Sequence, residues 1–330
     1  MFVSVLGSGS FGTTMASLAS GRNDVVMWAR DSEIAEEINT DHRNSRYLPG
    51  FDLPRTLRAT HDLEEAASRT EVLVMAVPSH GFRSALRQAR PFIPAGVPIV
   101  SLAKGLEQDT RLRMTEVIAQ EMPDHPAAAL AGPNIAKEIM SGMAAASVLA
   151  TNDRAVGEGL QKVLRRGLLR VYYNHDVVGC ELGGALKNVI AIAVGVAQGI
   201  GTGDNTRATV MTRGLSEIAR LGEAMGGGAA TFSGLTGLGD LIVTCMSPHS
   251  RNRHVGEELG RGRALDDIIA NMSMVAEGVK TAPTVMELAQ LHGVEMPICH
   301  EIDLMVRGEI SGNQAYRGLY APAGHEADPG

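Results

Sequence analysis

The 330-residue chain has a formal net charge of −7, with 44% hydrophobic and only 4% aromatic residues. That length leaves room for two domains with mainly aliphatic cores. The acidic balance argues against a general nucleic-acid-binding or membrane-surface protein, so any anionic ligand must be gripped by a few local cations.

FVSVL at 2–6 reads as a short buried strand, and no basic, apolar leader precedes it. GSGSFG then sets Gly7, Gly9 and Gly12 in a G-x-G-x-x-G pattern. FGTTMASLAS at 11–20 follows, with Phe11, Met15 and Leu18 near helical spacing. Strand, glycine turn and helix in this order favour a dinucleotide site over a merely flexible turn. Gly7 allows the tight turn, Gly9 the approach of a pyrophosphate and Gly12 the packing of helix on strand. The helix N-terminus offers N–H groups and a positive dipole end. Phe11 reads equally as a cofactor contact or as the first core residue of its helix.

Residues 25–29 (VVMWA) read as a second strand and 31–39 as a polar helix, followed by a loop holding Tyr47, Leu48, Pro49 and Gly50. Further strands are expected at 71–77, 98–103 and 127–131, with a helix near 110–121. This alternation predicts a parallel sheet with helices on both faces. Beyond about residue 175 only helical patterns recur, at 177–200, 205–225, 253–270 and 281–293. The expected fold is a Rossmann-type doubly wound α/β domain over 1–178 and an all-α domain over 179–330, with a disordered tail at 321–330. Residues 182–203 are apolar but broken by Lys187, Asn188 and Gln198, so a buried central helix is expected rather than a membrane span. Cys180, Cys245 and Cys299 form no C-x-x-C pair. They suit a reducing cytoplasm, and Cys245, His249 and His254 match no ligand spacing, so no metal is expected.

Arg30 ends the second strand, with Asp31 beside it. An Arg there suits a 2′-phosphate and an acidic residue suits ribose hydroxyls. NADP(H) is favoured and NAD(H) stays open; the plainer alternative makes Arg30 an ordinary surface charge. Lys104 follows one strand in SLAKG, and Gly132, Pro133 and Asn134 follow the next, both where an open α/β sheet takes its ligands. Lys187 stands in the apolar helix GGALKNVIAIAV, where it either snorkels to water or is held by a carboxylate such as Asp240. Beside a carbonyl its ammonium donates a proton as hydride arrives, and Lys104 is suited to polarise the same oxygen. Arg251 offers a planar fork for phosphate, with Ser250 and Asn252 as neutral donors; alone, the stretch also fits a solvated basic turn.

Taken together, GSGSFGT, VPSHGFR, SLAKGLE, GPNIAKEI, ELGGALKNVIAIAVGVAQGIGTGDNTRA, TRGLSEI, GLTGLGDL and SPHSRNRHVGEELG resemble the bacterial NAD(P)-dependent sn-glycerol-3-phosphate dehydrogenase family. The resemblance runs from about residue 2 to about residue 318. It implies a Rossmann domain and a helical domain with the active site between them. It also implies reversible reduction of dihydroxyacetone phosphate to sn-glycerol 3-phosphate, a precursor of glycerophospholipids. By position, Lys187 matches the family's catalytic proton acceptor. Lys104, Gly132, Asn134, Lys187, Asp240, Ser250, Arg251 and Asn252 match its substrate contacts. Ser10, Phe11, Arg30, Lys104, Ala136, Arg251, Val275 and Glu277 match its cofactor contacts, alongside Gly7, Gly9 and Gly12. Asn134 stands where Ser or Thr is common, MVAEG at 274–278 where VVEG is usual, and the C-terminal end departs from the family pattern. The implied partners are a small phosphorylated substrate and the dinucleotide, with neither nucleic acid nor membrane insertion; a homodimer is left open. The rival readings are a ketopantoate reductase-like 2-keto acid reductase and a non-catalytic dinucleotide sensor.

Overall fold

The computed structural model describes residues 1–272 and 275–315; Met274 and the tail at 321–330 lie outside the described residues. Residues 1–104 and 112–177 form one compact unit. It opens with β1 (Phe2–Leu6), α1 (Ser10–Ala19), β2 (Asp24–Trp28), α2 (Ser32–Thr40) and β3 (Arg58–Thr60). Next come α3 (Leu63–Ala67), β4 (Val72–Met75), α4 (Ser79–Ala89), β5 (Ile99–Ser101) and α5 (Met114–Glu121). It closes with β6 (Ala127–Ala131), α6 (Ala136–Met140), β7 (Ala145–Ala150), α7 (Arg154–Leu164) and β8 (Leu169–Asn174).

The strands lie in the order 3-2-1-4-5-6-7-8, whose first six positions follow the Rossmann order. Both faces are covered. Val3 and Val5 of β1 join one core with Met15 and Met27, while Phe2 and Leu6 join the other with Phe82 and Leu86. Burial on both sides is why β1 reads as an unbroken apolar run instead of an alternating one.

The strands expected up to 131 pair in parallel, but the sequence reading does not expect β7 and β8, and β7 runs antiparallel to β6. The link between them contains only the five-residue α6. A helix that short rises about 7.5 Å, against roughly 20 Å for the length of β7, so it does not carry the chain back to the opposite edge of the sheet. The chain therefore re-enters from the edge it has just left, and β8 then pairs parallel to β7.

Residues 105–111 and 178–330 make up the second unit, described as far as residue 315. The sequence reading assigns 105–111 to the first domain, yet Leu106 belongs to the second unit's core. The helices are α8 (Val177–Gly199), α9 (Asp204–Ala224), α10 (Ala229–Phe232), α11 (Asp240–Met246) and α12 (Arg251–Gly260). After them come α13 (Leu265–Ala270), α14 (Glu277–His292), α15 (Pro297–Val306) and α16 (Gly312–Ala315). The single helix expected at 253–270 is two, parted at Gly262, whose φ of +87° ends α12. Among the described residues, two stretches are long and apolar enough to cross a membrane: Val177–Gly199, 89% buried in its most apolar window, and Ala229–Met246, 33% buried. α8 is apolar on every side because helices of its own unit surround it. It crosses α12 closely. A Cβ on Gly195 would lie 2.1 Å from the Arg253 carbonyl oxygen, and one on Gly256 2.0 Å from that of Ile192.

Candidate active site

In the first unit, the glycine loop is shaped by what a side chain would strike. Gly7 has φ +118°, and a Cβ there would lie 2.6 Å from the Ala76 carbonyl oxygen. A Cβ on Gly12 would lie 2.3 Å from the Gly7 carbonyl oxygen, so α1 packs on the strand only because position 12 is bare. At Gly9 a Cβ would meet nothing within 4 Å. That open face lies where α1 begins, and no side chain caps this helix. A helix start of this kind presents N–H groups and a positive dipole end, which suit an anion. Ser10 Oγ donates to the Tyr47 carbonyl oxygen, which ties the loop to the segment after α2. Phe11 is half-buried against the core, so both of its expected roles remain compatible with its place.

At the end of β2, Arg30 is exposed and makes no hydrogen bond or ion pair among the described residues. Asp31 is already engaged. It caps α2 by accepting the Glu33 N–H and pairs with Arg46 Nη1 at 3.1 Å. Arg46 also sits over the Tyr47 ring, 5.4 Å from its centroid. Sequence reasoning missed Arg46, because nothing in its spacing shows that the loop folds back on the β2 end.

Beyond β5, Lys104 Nζ donates to the Gly132 carbonyl oxygen at 2.7 Å. Gly132 has φ +116°, a conformation that favours glycine. Lys104, Gly132 and Asn134 thus gather at the carboxyl ends of β5 and β6. Ala136 is the first residue of α6.

The second unit holds the other expected residues. Lys187 is 4% exposed and Asp240 1%, so the snorkelling alternative fails. Lys187 Nζ donates to Asp240 Oδ1 at 2.5 Å and to Thr244 Oγ1 at 2.6 Å. Thr244 in turn donates to the Asp240 carbonyl oxygen one helical turn back, at 2.6 Å. Its spacing of four residues from Asp240 was a signal available in the sequence. Cys245 lies beside this pair, but burial pushes its thiol up to about 12, so it supplies no thiolate.

Ser250 caps α12, its Oγ accepting the Arg253 N–H at 3.2 Å. Arg251 Nη1 donates to the Val275 carbonyl oxygen at 2.7 Å. Desolvation holds the Arg251 guanidinium pKa below its ordinary value, and the Glu277 charge opposes that shift. Arg251, Val275 and Glu277 thus form one group. Asn252, expected as a donor to phosphate, serves the scaffold first. Its Nδ2 donates to Asn188 Oδ1 at 2.9 Å and its Oδ1 accepts the Gly278 N–H at 2.9 Å. That bridge fixes the start of α12 to the residue next to Lys187. Among the described residues, no three His, Cys, Asp or Glu side chains cluster to hold a metal ion.

The first unit thus holds a glycine turn that leads into a helix start, and the second holds a buried lysine–carboxylate pair and a serine-capped helix start. Two family descriptions match, the N-terminus of NAD-dependent glycerol-3-phosphate dehydrogenase over residues 2–157 and its C-terminus over 176–317. Glycerol-3-phosphate dehydrogenase [NAD(P)+] 2 of Sphingopyxis alaskensis is 56% identical over 329 residues, 99% of each chain. Glycerol-3-phosphate dehydrogenase [NAD(P)+] of Mycobacterium avium is 53% identical over 98% of this chain and 96% of its own. The crystal structure of glycerol-3-phosphate dehydrogenase from Coxiella burnetii superposes with a TM-score of 0.93 at 35% identity, covering 97% of this chain and 99% of that one. The chain belongs to the NAD-dependent glycerol-3-phosphate dehydrogenase family.

Proposed function

We propose that the chain reduces dihydroxyacetone phosphate to sn-glycerol 3-phosphate, reversibly, with a nicotinamide dinucleotide. Family membership favours this over a 2-keto acid reductase or an idle sensor. The observation that carries the reading is the buried Lys187–Asp240–Thr244 group, bridged through Asn188 and Asn252 to the start of α12. Within the first unit, the loop at Gly7, Gly9 and Gly12 would hold the pyrophosphate. A bound nicotinamide supplies or accepts the hydride. Lys187 gives a proton from Nζ to the carbonyl oxygen as that oxygen gains negative charge; in reverse, its neutral amine removes the hydroxyl proton. Asp240 and Thr244 both accept from its Nζ, so its direction is set before substrate arrives. Arg251 and the first N–H groups of α12 take the substrate phosphate, with the Ser250 hydroxyl beside them. In the first unit, Lys104 offers a positive charge at the carboxyl ends of β5 and β6.

The reading extends to NADP(H) as the preferred cofactor. Arg30 is unengaged, whereas Asp31 is occupied by its cap and by Arg46 and is poorly placed to claim ribose hydroxyls. A cytoplasmic setting suits the three free, buried cysteines. The test is NADPH oxidation with dihydroxyacetone phosphate beside unphosphorylated dihydroxyacetone, repeated for Arg251→Ala. The phosphate should confer a large advantage on the wild type and a much smaller one on the variant. An equal loss on both ketones would remove Arg251 from the phosphate site.

A further inference from the structure

The two ends of the Asn134 amide are in different states. Oδ1 accepts a 2.6 Å hydrogen bond from Ser147 Oγ. Nδ2 is buried and has no hydrogen-bond partner among the described residues. A buried donor left in that state is costly unless something outside the chain accepts from it. Asn134 lies two residues beyond Gly132, whose carbonyl oxygen holds Lys104 Nζ, so the open N–H2 end belongs to the same strand-end cluster as that cation.

The reversed strand explains how Ser147 comes to be there. Ala131 at the end of β6 pairs with Val148 of β7. Ser147 therefore stands level with Gly132, and a Cβ on Gly132 would lie 3.4 Å from the Ser147 Cα. A parallel β7 would have carried its first residues to the opposite edge of the sheet. Ser147 is fully buried, so its hydroxyl needs an internal partner, and the Asn134 oxygen is that partner. Chemistry gives the pair a purpose. A serine hydroxyl rotates to donate or accept. An amide has a donor end and an acceptor end and must be turned one way.

We infer that Ser147 is a positioning residue for substrate binding: its hydroxyl holds the Asn134 oxygen, which turns Nδ2 toward an oxygen of the phosphorylated three-carbon substrate. This rests on the function proposed above. Asn134 touches the ligand and Ser147 acts only through it.

The experiment is a double-mutant cycle of Ser147→Ala and Asn134→Ser, with NADPH and dihydroxyacetone phosphate each varied and melting temperature measured for all four proteins. Ser147→Ala should raise the KM for dihydroxyacetone phosphate about five- to tenfold, with kcat and the KM for NADPH nearly unchanged and the melting temperature lowered only by the loss of one buried hydrogen bond. In the Asn134→Ser background the same Ser147→Ala change should move that KM less than about twofold, because a hydroxyl needs no orienting partner. An equal rise in both backgrounds would mark a packing effect and overturn the inference. So would an unchanged KM, or a rise confined to NADPH, which would assign the amide to the cofactor. Absence of any wild-type turnover with dihydroxyacetone phosphate would instead refute the function itself, and this inference with it.

Discussion

Lys187→Met removes the ammonium while keeping an apolar stem of similar length. The structure sets two separate consequences. The first is catalytic: general acid–base catalysis contributes about 10²–10⁴-fold, and here the same group also stabilises the developing oxyanion, so kcat should fall by at least that factor. The second concerns stability. Considered alone in its helix, Lys187 reads as a desolvated charge whose removal leaves stability unchanged or improves it. The structure reverses that expectation, because Asp240 is 1% exposed and loses its partner. Breaking a buried pair from one side costs about 3–5 kcal/mol. Lys187→Met should therefore melt well below the wild type. The double variant Lys187→Met/Asp240→Asn, which leaves no buried charge, should recover much of that loss without recovering kcat. The assay is steady-state NADPH oxidation with dihydroxyacetone phosphate, together with thermal unfolding of the three proteins. A double variant that regains stability and turns over within tenfold of the wild type would refute the assignment of Lys187 as proton donor.

Three further outcomes are expected. Arg30→Ala should raise the KM for NADPH about 10- to 150-fold, equivalent to one charge-assisted contact of roughly 1.5–3 kcal/mol, with little change for NADH; equal effects on both would return Arg30 to the role of surface charge. Gly9→Ala should fold normally, since its methyl meets open space, yet bind NADPH weakly, whereas Gly12→Ala should lose stability through its clash with the Gly7 carbonyl; titration of NADPH and melting curves separate the two. Glu217 is buried, accepts the Ile298 and Cys299 N–H groups at the start of α15, and has its pKa raised by desolvation from the ordinary 4.5. A raised folded-state pKa contributes stability that is full below 4.5 and is lost as pH climbs through the raised value, so the stability difference between Glu217→Gln and wild type should shift in favour of Gln over that window; a pH-independent difference in unfolding free energy would contradict it.

Much of this was legible in the chain. GSGSFG between an apolar strand and a helical run announced the strand, tight turn and helix that are present, because that order is local. AAALA at 127–131 is a strand in full, since both of its flanks hold turn-forming residues. What escaped was set by distance in sequence. Whether Lys187 snorkels depends on Asp240, 53 residues away, and no periodicity along one helix reports that contact. The direction of β7 follows from how little helix lies between it and β6, and Ser147 acquires a partner only through that reversal. Arg46 reaches Asp31 across a loop whose path no local pattern fixes. Asn252 read as a ligand donor because its neighbours Ser250 and Arg251 did; its burial and its bridge to Asn188 appear only when α8 and α12 are packed.

Product analysis tests the reaction itself. Purified chain given NADPH and dihydroxyacetone phosphate should yield sn-glycerol 3-phosphate, one molecule for each NADPH consumed, while ketopantoate under the same conditions should leave NADPH nearly untouched. Failure to form glycerol 3-phosphate, or faster consumption of NADPH with ketopantoate, would overturn the assignment of dihydroxyacetone phosphate as substrate.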